Sequence, residues 1–149
     1  MIKYTTGDIF DSDAKILVNP VNCVGVSGAG LALQFAKRYP GGDRWYKQVV
    51  REYGGEMPLT ANVSMHAHDG VEIYYFPTKI HWVYSSTYAI ITNSLKSFRR
   101  YLEISNDTTV LSVAMPKVGC GLGGLYWHIV KPIIEEELGM LPNKIEVYE

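Results

Sequence analysis

"AKILVNPVNCVGVSGAGLALQF", residues 14–35, decides the fold. Its first eight residues are a short apolar run rich in branched side chains, the pattern of a buried strand. The run ends in Asn22, crosses a loop holding Gly25, Gly28 and Gly30, and then takes on helical spacing. Leu31, Phe35 and Tyr39 recur at i, i+4 and i+8, so 30–39 reads as an amphipathic helix stopped by Pro40-Gly41-Gly42. A buried strand running into a helix through a glycine loop is the opening unit of an α/β sheet.

The rest of the chain repeats that grammar. Trp45, Val49 and Tyr53 mark the apolar face of a second helix, closed by Gly54-Gly55. "ANVSMHAH" (61–68) and "VEIYYF" (71–76) read as two strands turned by Asp69-Gly70. Tyr88, Ile91, Leu95, Phe98 and Leu102 line one face of a long helix over about 87–104. "TVLSVAM" (109–115) is another buried strand. Val130, Ile134 and Leu138 define a last helix with Pro132 in its first turn, where a missing N–H is tolerated. "KIEVY" (144–148) closes the chain as a strand. The expected architecture is one three-layer α/β domain over 1–149 with a mixed, largely parallel central sheet.

Composition narrows the function. The 149 residues are 47% hydrophobic and 12% aromatic, enough for one domain with a real core. No apolar run approaches the ~20 residues that span a membrane. The N-terminus lacks the apolar region of a secretory signal, so a cytoplasmic location is expected. Net charge is −1, with 14 basic and 15 acidic residues, which argues against a general nucleic-acid-binding surface. Cys23 and Cys120 are expected as plain thiols. His66 and His68 alternate without further ligands, so no metal is expected.

Ligands of open α/β sheets bind beyond the carboxyl ends of strands, and three such ends are chemically loaded. In the first, glycines let backbone approach a ligand closely. Asn22 offers a donor and an acceptor suited to the vicinal hydroxyls of a sugar, or alternatively caps its own turn. In "PKVGCGLGGLYW" (116–127), Gly119, Gly121 and Gly124 satisfy G-x-G-x-x-G. Freed backbone N–H groups there suit a diphosphate; tight packing of the loop on the sheet is the other use of such glycines. A dinucleotide-binding fold would carry this fingerprint at its first strand, and a P-loop needs a G-K-[ST] that the chain lacks. In "YYFPTKIHW" (74–82), Lys79 follows a strand directly and is the best nucleophile or acid in the sequence, unless it is only a solvated charge. His81 beside it takes no assigned role.

Together, "GDIF", "LVNPVNCVGVSGAGLALQF", "FPTKIHW" and "PKVGCGLGGLYW" make the chain resemble a macrodomain, an ADP-ribose-binding α/β/α module. It is most similar to the branch of antitoxin macrodomains that remove ADP-ribose from DNA and the related terminal ADP-ribose protein glycohydrolase. The resemblance implies that Asp8 binds the adenine amino group, with Ile9 adjacent. It places Asn22 at the distal ribose, Gly28 and Gly30 along the pocket, and Gly119, Cys120, Gly121, Leu122, Gly123 and Gly124 around the diphosphate. Lys79 matches the catalytic lysine of that branch. One departure is Gly123, which stands where the protein glycohydrolase has an acid.

The implied ligand is therefore ADP-ribose, free or on a DNA or protein acceptor, and no cofactor is called for. The implied activity is hydrolysis at the distal C1″. The same pocket also suits an ADP-ribose-1″-phosphate phosphatase or a non-catalytic reader. Tyr148, at the end of the last strand, is a guess for the adenine-stacking aromatic. Ending at Glu149, the chain reads as a stand-alone macrodomain.

Overall fold

The computed structural model describes residues 1–149, and its sheet is built around β2 (Ile16–Asn22). This strand pairs in parallel with β4 (Glu72–Lys79) on one side and β5 (Val113–Pro116) on the other. Every residue of β2 except Pro20 is buried, and so is all of β4 up to Lys79. Burial on both faces explains why these stretches read as mainly apolar runs without alternation.

The full order is β1-β6-β5-β2-β4-β3. β1 (Ile2–Thr5) and β6 (Ile145–Tyr148) extend the parallel set, and only β3 (Val63–His66) runs antiparallel. Helices α1 (Gly30–Arg38) and α2 (Pro40–Glu52) cover one face, where Phe35, Tyr46 and Val50 meet Leu17, Ile73 and Tyr75. Helices α3 (Tyr88–Ser105) and α4 (Trp127–Leu138) cover the other, packing Ile91, Phe98, Val130 and Ile134 on Val18, Phe76 and Met115. This is the expected three-layer architecture. No helix is long and apolar enough to cross a membrane.

Five details differ from the sequence reading. Strand β1 was not anticipated: its four residues are mostly half-buried and gain their partner from the far end of the chain. The strand expected over 109–115 shrinks to 113–116, since Thr109 and Val110 are exposed. Pro40-Gly41-Gly42 does end α1, yet it also forms the first turn of α2, where proline at the first position costs nothing. In α2 the buried stripe is Gly42, Tyr46 and Val50, one residue out of step with Trp45, Val49 and Tyr53. A Cβ at position 42 would overlap the Tyr75 hydroxyl, so glycine lets the helix sit down on β4 along that stripe. Trp45 stays outside and donates its Nε1 to Ser64 O of β3 at 3.0 Å. Finally, Pro132 lies inside α4 rather than in its first turn.

Candidate functional site

The parallel strands end along one edge of the sheet, and the candidate residues follow those ends. Asn22 closes β2, Lys79 closes β4, and the second glycine loop leaves β5 after Pro116. These three strand tips are consecutive in the sheet. At ~4.8 Å per strand they span about 10 Å.

Asn22 is 6% exposed and fully committed on its oxygen side. Its Oδ1 accepts Val24 N at 3.0 Å, Val26 N at 3.3 Å and the Tyr46 hydroxyl at 2.9 Å. Its Nδ2 donates to Val26 O at 2.8 Å, which leaves one amide hydrogen over. The side chain thus both caps its own turn and presents a single donor. Two more bonds strap the loop to α2: Tyr46 donates to Asn22 O at 2.7 Å, and Ser27 Oγ to Asp43 Oδ1 at 2.7 Å. Burial, the first cause, pushes the Tyr46 phenol well above its ordinary range, so it remains a donor.

The ladder between β2 and β4 slips at its last step. Val21 faces Pro77, but Asn22 faces Lys79, with Thr78 squeezed out as a bulge whose Oγ1 donates to Val21 O at 3.3 Å. Bulges next to a site re-aim the side chain that follows. Lys79 is half-buried and takes part in none of the chain's ion pairs.

Both glycine loops hold out backbone donors. In the first, the N–H groups of Gly28, Ala29, Gly30 and Leu31 find no protein acceptor. In the second, those of Gly119, Gly121, Leu122 and Gly123 find none. Helices α1 and α4, which follow these loops, lack side-chain caps, whereas α3 is capped by Thr87 on Ile90 N. Uncapped helix starts and free loop N–H groups are donors of the kind that anion sites use. The loops also touch: a Cβ on Gly30 would stand 3.1 Å from Leu122 Cδ1.

The second loop's glycines divide between packing and openness. A Cβ at Gly123 would lie 2.5 Å from Gly119 O and from Ser86 Oγ, and one at Gly119 would lie 2.9 Å from Ile91 and Leu125 methyls. Around Gly121 and Gly124 a Cβ would meet nothing within 4 Å. Cys120, between Gly119 and Gly121, is a free thiol, raised by burial and eased back by Lys117. The Ser86 hydroxyl, buried beneath this loop, has no hydrogen-bond partner. Its position was not singled out from sequence, because nothing in "YSST" marks one serine as buried.

The remaining candidates sit on the same edge. Asp8 follows β1, is exposed, and caps a short 3-10 turn (Ile9–Asp11) by accepting Phe10 N at 2.9 Å, which leaves its second oxygen unbonded. Ile9 is buried against the α1–α2 face. Tyr148 ends β6, half-buried, opposite Thr5 and Pro116. His66, by contrast, lies at the other end of the sheet, its Nε2 3.4 Å from Glu72 Oε1. Cavities of about 360 and 400 Å³ also lie away from the strand tips, beside α2 and sharing Trp45.

The comparisons with known proteins agree with this fold. The family model described as Macro domain matches residues 18–134. The DNA ADP-ribosyl glycohydrolase of Mycobacterium tuberculosis is 38% identical over 146 residues, covering 96% of this chain and 40% of that protein. The chain thus spans well under half the length of that relative. ADP-ribose glycohydrolase OARD1 of Homo sapiens is 32% identical over 152 residues, covering 99% of this chain and 90% of the relative. Among solved structures, the macrodomain of Mycobacterium tuberculosis DarG superposes with a TM-score of 0.90 at 35% identity, covering 99% of this chain and 97% of that one. Sheet order, glycine loops and family match converge: this chain belongs to the macrodomain family.

Proposed function

We propose that the chain is an ADP-ribosyl glycohydrolase that binds ADP-ribose across the two glycine loops and frees it from a DNA or protein acceptor. The observation that carries this reading is Lys79, an amine without an ion pair, in register with Asn22 between two loops of unpaired backbone donors. The names of the similar proteins point the same way.

In this reading the N–H groups of Gly119, Gly121, Leu122 and Gly123 hold the diphosphate, helped by the start of α1. Preorganised donors of this kind cost no reorganisation when charge develops. The spare Nδ2 hydrogen of Asn22 meets a hydroxyl of the distal ribose and fixes its orientation. Asp8 receives the adenine amino group on its free oxygen. Lys79 Nζ stands at C1″.

Overall, the bond from C1″ to the acceptor breaks, water supplies the new C1″ hydroxyl, and the water proton ends on the departing acceptor. Lys79 serves either by protonating the acceptor as it leaves, or by adding to C1″ of the opened sugar to form an imine that water then hydrolyses.

The test is parallel incubation with an ADP-ribosylated oligonucleotide, an ADP-ribosylated protein and ADP-ribose-1″-phosphate, beside calorimetry with free ADP-ribose. Binding of ADP-ribose with release from at least one of the first two is expected. Binding without any release leaves a reader, release only of phosphate leaves a phosphatase, and no saturation at millimolar ADP-ribose refutes the pocket itself.

A further inference from the structure

The chain leaves several large apolar side chains in water, and a set of them gathers on two loops beside Lys79. Trp82 is 57% exposed and Tyr84 68%, both on the segment joining β4 to α3; Leu122 is 70% exposed and Tyr126 66%, on the segment joining β5 to α4. Clustered exposure of this kind marks a contact surface. The two segments are laced together by Ser86 N donating to Gly123 O at 3.0 Å and Tyr126 N donating to the Tyr88 hydroxyl at 3.2 Å.

The Trp82 loop is held open rather than frayed. Val83 N donates to His81 Nδ1 at 3.2 Å and Tyr84 N to His81 O at 3.1 Å, so His81 forms the hub of a tight turn. Its ring lies 5.4 Å from that of Trp82 and 5.9 Å from that of Tyr84. Two aromatic faces are thereby presented to solvent from one fixed backbone. Trp82 is only three residues from Lys79, at most ~10 Å of chain.

Charge selects the occupant. Across 80–87 and 117–126 there is no aspartate or glutamate, and the one formal charge is Lys117, in a chain that carries 15 acids. A surface of aromatic faces without carboxylates suits a stacked base attached to a polyanionic strand.

We propose that Trp82 and Tyr84 form the acceptor platform of the enzyme, stacking an unpaired nucleobase of the single strand that carries the ADP-ribose. The proposal rests on the glycohydrolase reading and names the acceptor for it. The ribose end of the ligand meets Asn22 and Lys79, and the base it is joined to lies on the aromatic turn that follows Lys79. Selection of DNA over protein then comes from these two rings and not from net charge.

The experiment compares affinities in a Lys79→Ala background, which removes turnover. Ligands are free ADP-ribose, an ADP-ribosylated single-stranded oligonucleotide and an ADP-ribosylated peptide. The expected result is tighter binding of the oligonucleotide than of ADP-ribose, with Trp82→Ala plus Tyr84→Ala erasing roughly 5- to 150-fold of that affinity, the range for loss of a stacked base. Trp82→Phe restores most of it. Affinity for free ADP-ribose stays within about twofold in every variant, and both side chains are exposed enough that unchanged far-ultraviolet circular dichroism and melting temperature are expected. Equal affinity of the double variant for the oligonucleotide, or the same loss with the peptide, overturns the platform. Failure to bind free ADP-ribose overturns the underlying glycohydrolase reading and the platform with it, which separates the two.

Discussion

Asn22 and Lys79 stand opposite each other at the carboxyl tips of β2 and β4, one residue beyond the pairing that an unbroken ladder would give. In an unbroken ladder Asn22 would face Thr78, and Lys79 would fall one step away with its side chain on the other face. The bulge at Thr78 therefore sets which side chain meets the asparagine. One residue of slack in β4 brings the Asn22 amide and the Lys79 amine together, the pair to which the proposed function gives the sugar and its anomeric carbon.

Lys79→Ala should lower turnover of the ADP-ribosylated substrate by ~10²–10⁴-fold, the usual contribution of a positioned acid or base. Affinity for ADP-ribose should change little, because the donors proposed for the diphosphate are backbone groups. Borohydride added during turnover separates the two lysine routes. If an imine forms, reduction locks ADP-ribose onto the wild-type protein, and peptide mapping finds it on Lys79. Wild-type rates in the alanine variant would remove the lysine from the mechanism.

Asn22 should behave differently, because its oxygen holds the loop to which the proposed function gives the ligand. Asn22→Ala strands Val24 N, Val26 N and Val26 O. Stranded buried groups cost ~1–3 kcal/mol each when they cannot reach water. The variant should lose both stability and ADP-ribose affinity. Tyr46→Phe tests the same strap from behind, since its hydroxyl is buried and donates to Asn22. We expect a loss of ~1–2 kcal/mol, a fall in melting temperature of roughly 2–8 °C for a domain of this size, and weaker ADP-ribose binding in calorimetry. Unchanged affinity in Tyr46→Phe would detach loop order from binding.

The sequence displays β2 and β4 because each is an apolar run buried on both faces, and α3 and α4 because each repeats its buried residues at helical spacing. It also displays both glycine loops and Lys79, since each follows an apolar run. Strand β1 is illegible for the opposite reason: four mostly half-buried residues have no pattern until β6 supplies a partner some 140 residues later. Helix α2 carries two apolar stripes one residue apart, and the choice between them depends on contact of Gly42 with Tyr75, a tertiary fact. The bulge at Thr78 and the orphaned Ser86 hydroxyl likewise exist only once distant strands and loops meet.

The glycines of the second loop should separate by mutation. Gly119→Ala forces a side chain onto φ +80° and against Ile91 and Leu125, and Gly123→Ala drives a methyl into the backbone oxygen of residue 119. Both should destabilise the fold, by roughly 1–3 kcal/mol where overpacking is the cause. Gly121→Ala meets open space and should leave the melting temperature unchanged. If the loop wraps the diphosphate, the same methyl should still weaken ADP-ribose binding. A stable Gly121→Ala protein with undiminished affinity would place the ligand elsewhere.

High pH should unfold the protein through its phenols. Burial raises Tyr39 and Tyr101 to about 12, with the Asp69 bond next for Tyr39 and the Ser64 bond opposing the shift for Tyr101. Burial likewise raises Tyr4, Tyr46, Tyr74 and Tyr75, and takes Cys23 to about 11. Each of these groups binds its proton more tightly folded than unfolded. The phenols' contribution is complete below their unfolded range near pH 10, and that of Cys23 below the lower range of an unfolded thiol; each is lost as pH rises through the folded values. Denaturant midpoints should be flat from about pH 7 to 9 as far as the phenols are concerned, then fall steeply between about 10 and 12. Phenolate absorbance of the buried set should appear together with loss of far-ultraviolet circular dichroism. Full ionisation of all eleven tyrosines while the fold persists would mean that their hydroxyls are reached by water, contrary to the packing of Tyr46 and Tyr74.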